Sequence, residues 1–305
     1  MGSSSSHVLG PAFTYVAPQS LPMPVLVAVP HAGRAYPATV LAHMRDPDMG
    51  QKRLEDRHVD RLGIAIAKAT RAGLLVANAP RAMLDLNRAS DDIDWDMIEG
   101  GAALPLKPEK VHSGQHRRSR TGLGLIPRRL SGFGEIWRGQ ISREELDRRI
   151  DKIHRPYHAF LARELSRIRD EWGAALLIDL HSMPPLRKQA GQDRVARMVL
   201  GDRFGTSCQH SLVAQAMSYL DRRDMPVAHN RPYSGGYVLD RQASPPRGIH
   251  AIQVEVCRTL YLDSQFDEPS SGLRPLADML AGLLRELGAE TARIGRIGEM
   301  AQAAE

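Results

Sequence analysis

The stretch LLIDLHSMPP, Leu176 to Pro185, decides how this chain is read. Two alanines and the run Leu176-Leu177-Ile178 make an apolar strand, and Pro184 and Pro185 stop it, because proline has no N–H for a sheet ladder. Asp179, His181 and Ser182 therefore stand at the strand's carboxyl end. In open α/β sheets that is the end where ligands bind. An acid, an imidazole and a hydroxyl in such a place raise the question of what else the chain brings to the same edge.

On either side of this strand, apolar strands alternate with amphipathic helices. MPVLVAVPHAG reads as a strand ending at Pro30-His31, LLVANAP as another, and RMVLGDRFGTSC as a fourth. HAIQVEVCRTLYLD begins with a strand that alternates Ile252, Val254 and Val256. Helical spacing runs through RLEDRHVDRLGIAIAKATRAG to Gly73, through about 141–172, through HSLVAQAMSYLDRR and through about 271–287. The alternation predicts an α/β chain built as a single three-layer domain over residues 21–290, a mixed central sheet flanked by helices. Residues 1–20 are expected to be a disordered or added N-terminus, and 291–305 a C-terminal tail. The stretch 89–140, rich in Gly, Pro and Arg, is a loop-rich insertion, and loops of that length are more often functional than idle.

Composition narrows the partners. A chain of 305 residues with 42% hydrophobic content can bury a large core. It has no uninterrupted apolar run near the ~18–20 residues of a membrane span, and MGSSSSHVLG lacks the charged and apolar regions of a secretory signal. Cys208 and Cys257 are too few for a disulfide framework and fit a reducing cytoplasm. The net charge of +6 and the pI near 9.5 favour anionic partners. Acids and bases alternate in SREELDRRIDKIHRPYHAFLARELSRIRDEW, the pattern of a solvated helix face. With 5% aromatics and no nucleic-acid motif, a small acidic substrate is the better match than nucleic acid.

Chemistry-bearing residues gather at the strand ends. His31 follows the first strand, and EDRHVD offers Glu55, Asp56, His58 and Asp60 soon after. Either His31 or His181 alone reads better as a turn cap or a ring bonded to a backbone carbonyl. Together, both at strand carboxyl ends and each beside a turn-former, they read as ligands of a catalytic zinc that keeps an open position. In PRAMLDLNRASDDID, Arg81 and Arg88 bracket Asp85 and Asn87 in an apolar setting. An arginine fork there suits a substrate carboxylate, and a structural ion pair with Asp85 is the alternative. Gln253 and Glu255 share one face of their strand opposite Ile252, Val254 and Val256. A glutamate on an interior strand needs a task, and desolvation raises its pKa toward a general base's range.

The segments PHAGRAYP, EDRHVD, PRAMLDLNR, TGLGLIP, IHRPYHAFL, LLIDLHSMP, VLGDRFGTSC, NRPYSGGYV and GIHAIQVEVCRTLYLD run in order from about residue 25 to about 265. Together they resemble the N-formylglutamate amidohydrolase family and, at one remove, the zinc carboxypeptidases and aspartoacylases. The resemblance implies a carboxypeptidase-like fold, a cytoplasmic enzyme of histidine degradation, and metal-assisted hydrolysis of an N-formyl or other N-acyl acidic amino acid. N-formyl-L-glutamate is the first expectation. Another N-acyl amino acid or a peptide end is the alternative, and a basic nucleic-acid-binding protein the non-enzymatic one. The relatives pair an Asn-Arg dipeptide, matched by Asn87 and Arg88, with the substrate carboxylate, and use a strand glutamate, matched by Glu255, as base. Their first metal motif is His-x-x-Glu, whereas Arg34 stands three residues after His31, so the carboxylate ligand is expected at Asp56 or Glu55. The implied set is zinc or another divalent metal on His31, Asp56 and His181, with Asp179 either orienting His181 or bracing the loop, Glu255 as base, and Arg81 facing the oxyanion with the metal. A second substrate carboxylate calls for Arg118, Arg120 or Arg128 from a loop freed by Gly122 and Gly124, with Tyr237 as a further donor.

Overall fold

A computed structural model describes residues 11–101, 118–188 and 194–302. Residues 1–10 and 303–305 of the expected termini, and part of the expected insertion, lie outside the described residues. The strands are β1 (Phe13–Val16), β2 (Val25–Val29), β3 (Gly73–Ala77), β4 (Arg129–Leu130), β5 (Gly134–Glu135), β6 (Ala175–Met183), β7 (Met198–Gly201), β8 (Val227–His229) and β9 (Ile249–Cys257). The helices are α1 (Ala38–His43), α2 (Pro47–Leu54), α3 (Val59–Thr70), α4 (Arg143–Arg149), α5 (Arg155–Trp172), α6 (His210–Asp221), α7 (Tyr237–Gln242) and α8 (Leu273–Gln302).

Seven strands form the central sheet in the order β1-β3-β2-β6-β9-β7-β8. The inner four, β3, β2, β6 and β9, are parallel, while β1 and β7 run antiparallel to their inner neighbours, so the sheet is mixed as expected. Period-two alternation splits the core into two layers. Leu26 and Ala28 of β2, Ala175 and Leu177 of β6, and Ile249 and Ala251 of β9 face one layer, covered by α5 and by residues 95–98 and 125–141. Val25, Val27 and Val29, Leu176, Ile178 and Leu180, and Ile252, Val254 and Val256 face the other, covered by α3, α6 and α8.

Several elements depart from the sequence reading. Phe13–Val16, inside the stretch set aside as a disordered or added N-terminus, is an edge strand antiparallel to β3, and Tyr15 donates to Glu164 Oε1 at 2.5 Å. The helix expected over RLEDRHVDRLGIAIAKATRAG is two helices: α2 stops at Leu54, and His58, at φ 57, redirects the chain into α3. α3 closes on a left-handed Arg71 at φ 60, so Gly73 opens β3 instead of ending the helix. The last helix runs past 287 to Gln302, and residues 291–302 of the expected tail continue it. Within the described parts of the expected 89–140 insertion, Ile98, Leu125, Ile126, Ile136 and Trp137 are buried in the first core layer. The charged pattern on α4 and α5 is a solvated face, with Arg143 on Asp147 and Arg167 on Glu164 and Glu171. Among the described residues no helix is long and apolar enough to cross a membrane.

Candidate active site

The faces that bury Ala175 and Leu177 on β6, and Ile249 and Ala251 on β9, turn polar toward the carboxyl ends. There they carry Asp179 and His181, and Gln253 and Glu255. The two strands pair in register, His181 beside Glu255 and Asp179 beside Gln253. β2, on the other side of β6, delivers His31 just past its end. Three adjacent parallel strands therefore supply the two histidines and the glutamate. Asp56 reaches them from the α2–α3 connection, whose backbone is tied back by Asp56 N donating to His31 O at 3.0 Å.

His31, Asp56 and His181 are buried, and each offers a ligand atom within 4.8 Å of the others. The imidazole rings meet edge-on with centroids 4.7 Å apart. Hydrogen bonding sets their tautomers. His31 Nε2 lies 2.8 Å from Asp85 Oδ1, and His181 Nε2 lies 3.0 Å from Asp179 Oδ2. An ionised carboxylate only accepts, so both Nε2 atoms carry the proton and a neutral ring turns its Nδ1 lone pair inward. Both lone pairs meet Asp56 Oδ2, His181 Nδ1 at 3.0 Å and His31 Nδ1 at 3.5 Å. His31 Nδ1 is buried without a hydrogen-bond partner. Lone pairs facing a carboxylate in a dry site need positive charge between them. Ligand bonds of ~2.0 Å at tetrahedral angles would put such atoms ~3.3 Å apart, which the two distances bracket. The cluster thus fits a metal ion, with the carboxylate–histidine bracing usual around one.

The surrounding carboxylates call for positive charge at this point, a demand that a bound cation would meet in place of a second ring proton. Burial opposes charge on His181, yet Asp179 and Asp56 outweigh it and hold its pKa well above the ordinary histidine value. Burial also opposes charge on Asp56, but the two imidazoles that face it keep it below the usual carboxylate range. Glu255 is pushed by burial up to about 7, and Gln253 Nε2 donates to its Oε1 at 2.9 Å.

The remaining expected site residues divide. Arg81 Nε donates to Asp85 Oδ2 at 2.9 Å, the ion pair raised as the alternative, and the fields of Asp56 and Glu255 also reach its guanidinium. Asn87 Oδ1 accepts from Val238 N at 3.0 Å and its Nδ2 donates to Gln253 Oε1 at 3.3 Å. Arg88 donates from Nε to Leu123 O at 2.9 Å and from one terminal nitrogen to Asn87 O at 2.7 Å, while the other lies 3.9 Å from Asp85. Two residues are placed differently from expectation. Arg128 is held by Asp94 at 2.6 Å and Glu135 at 3.1 Å, which spends its charge inside the loop. Tyr237 packs on the rings of His154 and His158 and accepts from Arg241 at 3.2 Å. Glu55 is not in the cluster: its carboxylate sits 3.5 Å from Arg57.

Two residues and one role escaped the sequence reading. Asp85, read there only as an ion-pair partner for an arginine, also braces His31, and accepts from Asn87 N at 2.8 Å. Arg258 follows β9 directly, donating to Glu55 O at 2.6 Å and lying 3.6 Å from Asp56 Oδ1. Extending the strand-end rule to β9 would have found it. Tyr233, rather than Tyr237, packs by Met183, Val199 and Cys257 within the fields of Glu255 and Asp56.

Known proteins share this arrangement of sequence and fold. The chain is 28% identical over 270 residues to N-formylglutamate deformylase of Pseudomonas putida, covering 87% of this chain and 91% of that one. It is 28% identical over 267 residues to N-formylglutamate deformylase of Pseudomonas aeruginosa, with the same coverage. The crystal structure of N-formylglutamate amidohydrolase from Ralstonia eutropha JMP134 is similar at a TM-score of 0.78 and 31% identity, over 95% of this chain and 99% of that one. The model of an enzyme family, the N-formylglutamate amidohydrolases, matches residues 23–262, and the chain belongs to that family.

Proposed function

We propose that the protein is a zinc-dependent amidohydrolase that cleaves N-formyl-L-glutamate to formate and L-glutamate. The observation that carries this reading is the pair of braced imidazoles whose inward Nδ1 atoms meet Asp56 Oδ2 beside Glu255. The names of the relatives supply the substrate. His31, Asp56 and His181 would hold the ion, and a divalent cation bound there acidifies water and polarises a carbonyl.

The chain's own groups do the rest. Glu255 takes a proton from the water that attacks the formyl carbon and passes it to the departing amine, a role its pKa near 7 suits. Arg81 stabilises the negative charge that develops on the formyl oxygen, and Asp85 keeps its guanidinium in place. Asn87 and Arg88 form the carboxylate side of the pocket, where Arg88 retains one terminal nitrogen that no carbonyl among the described residues occupies. Arg118, from the loop that precedes Gly122, is the arginine proposed for the second carboxylate. Cytoplasmic action on a small acidic amino-acid derivative follows from the same reading.

Purified protein given N-formyl-L-glutamate should release formate and glutamate in equal amounts, stop on chelation and recover with zinc. Glu255→Gln should keep the metal and lose ~10²–10⁴-fold in kcat. Metal-saturated protein that spares N-formyl-L-glutamate but cleaves another N-acyl amino acid would contradict the substrate assignment.

A further inference from the structure

One helical run, from Arg143 to Trp172, changes its winding once. α4 passes into α5 through a π-turn over Ile150–His154. In an unbroken α-helix, residues 149 and 154 would sit ~140° apart around the axis. The wider i→i+5 turn brings them toward one face, and His158 lies one α-turn beyond His154.

All three side chains reach the same piece of backbone. Arg149 donates to Met83 O at 3.0 Å, His158 Nε2 to Leu86 O at 3.0 Å and His154 Nε2 to Arg88 O at 2.9 Å. Residues 83–88 form no strand or helix, so their carbonyls have no ladder to join, and buried carbonyls left unpaired are costly. The segment's side chains point to the chemistry: Asp85 to His31 and Arg81, Asn87 to Gln253. Behind the imidazoles, Gln242 Nε2 lies 3.3 Å from His158 Nδ1, and Tyr237 packs on both rings. Burial lowers His154 to a pKa of about 4 and His158 well below the ordinary value, so both stay neutral. A neutral ring with Nε2–H donating and Nδ1 accepting is what Gln242 and Leu86 O require of His158.

We infer that the π-turn makes this helix a clamp that sets the height and angle of the Asp85–Arg88 segment over the site, with Arg149, His154 and His158 as its positioning residues. For substrate binding this rests on the reading that Asn87 and Arg88 meet a substrate carboxylate. The hold on Asp85 and His31 does not depend on that reading.

His154→Phe keeps a ring of similar size and removes the donor, while His154→Gln can still donate to Arg88 O. The Phe variant should lose about tenfold in kcat/KM on N-formyl-L-glutamate, mostly through KM, the size expected for one buried hydrogen bond. The Gln variant should recover most of it, and both should keep wild-type metal content. Backbone amides of residues 85–89, followed by hydrogen exchange without substrate, should exchange faster in the Phe variant only. Unchanged exchange, or a Gln variant no better than Phe, overturns the clamp. Faster exchange with untouched kinetics overturns its role in the reaction. If the wild-type chain spares N-formyl-L-glutamate, the substrate reading fails while exchange still judges the clamp.

Discussion

His31 and His181 present the same atom to the same carboxylate, yet their braces arrive by different routes. Asp179 lies two residues before His181 on one strand, so the period of a β-strand puts both on one face. Asp85 comes from an irregular segment 54 residues away and serves His31, Arg81 and Asn87 together. One brace is local and holds one ring. The other is tertiary and ties the His31–Asp56–His181 cluster to the groups proposed to meet the substrate. Geometry at one imidazole can therefore be reached cheaply by strand alternation, whereas coupling the ring to the pocket needs a loop held from behind.

The sharpest way to break this comparison is to neutralise each brace. Outer-shell partners of metal-binding histidines typically matter by ~10–100-fold. Asp179→Asn should fall near the lower end and Asp85→Asn at or beyond the upper end. In the Asp85 variant an amide N–H must face either His31 Nε2–H or the Arg81 guanidinium, so metal affinity and kcat/KM should fall together. Equal losses in both variants would erase the distinction between local and shared braces.

The same contrast explains what could be read from the sequence. LLIDLHSMPP and HAIQVEVC announce their polar faces because apolar residues alternate with Asp179, His181, Gln253 and Glu255. Asp85 was visible as a partner for arginine, but its bond to His31 depends on tertiary folding that no spacing records. Asp56 and Glu55 were inseparable as neighbours in sequence; the turn at His58 and the bond from Asp56 N to His31 O bring only Asp56 to the cluster. YSGGYV offered two tyrosines, and the loop's path sends Tyr237 against the clamp histidines and Tyr233 toward Glu255. The edge strands β1 and β8 are four and three residues long, too short for a periodic signal.

A smaller effect sharpens the tertiary side of the comparison. Arg88→Lys keeps the charge but loses the planar fork. It should lower kcat/KM on N-formyl-L-glutamate by about tenfold and much less on the matching side-chain amide, because the charged contact is absent there in both proteins. Equal losses on both substrates, with a lower melting temperature, would leave Arg88 as a brace of its own loop.

The smallest effect concerns buried histidines outside the cluster. Burial lowers His154 and His250 to about 4 and His158 well below the ordinary value. In the unfolded chain these rings protonate near ~6.5, so as pH falls from there toward 4 the unfolded state binds protons that the folded state refuses. Their contribution to stability is whole above ~6.5 and is lost on acidification, by up to about 1.4 kcal/mol per pH unit for each ring. His250 is wholly buried and its ring nitrogens have no hydrogen-bond partner among the described residues, so His250→Leu should fold at least as well at neutral pH and lose stability less steeply toward pH 5. Melting temperatures between pH 7 and 5 decide this; an unchanged pH slope in the variant would contradict it.

The central claim is that two braced imidazoles and Asp56 hold a catalytic metal. Its most direct test is elemental analysis of purified wild type, His31→Ala, Asp56→Ala, Glu55→Ala and His181→Ala, with formate release from N-formyl-L-glutamate measured on the same samples. The expected result is one zinc per wild-type and Glu55→Ala chain, and loss of zinc and turnover together in the other three. A folded His181→Ala protein that keeps its full metal content would contradict the account.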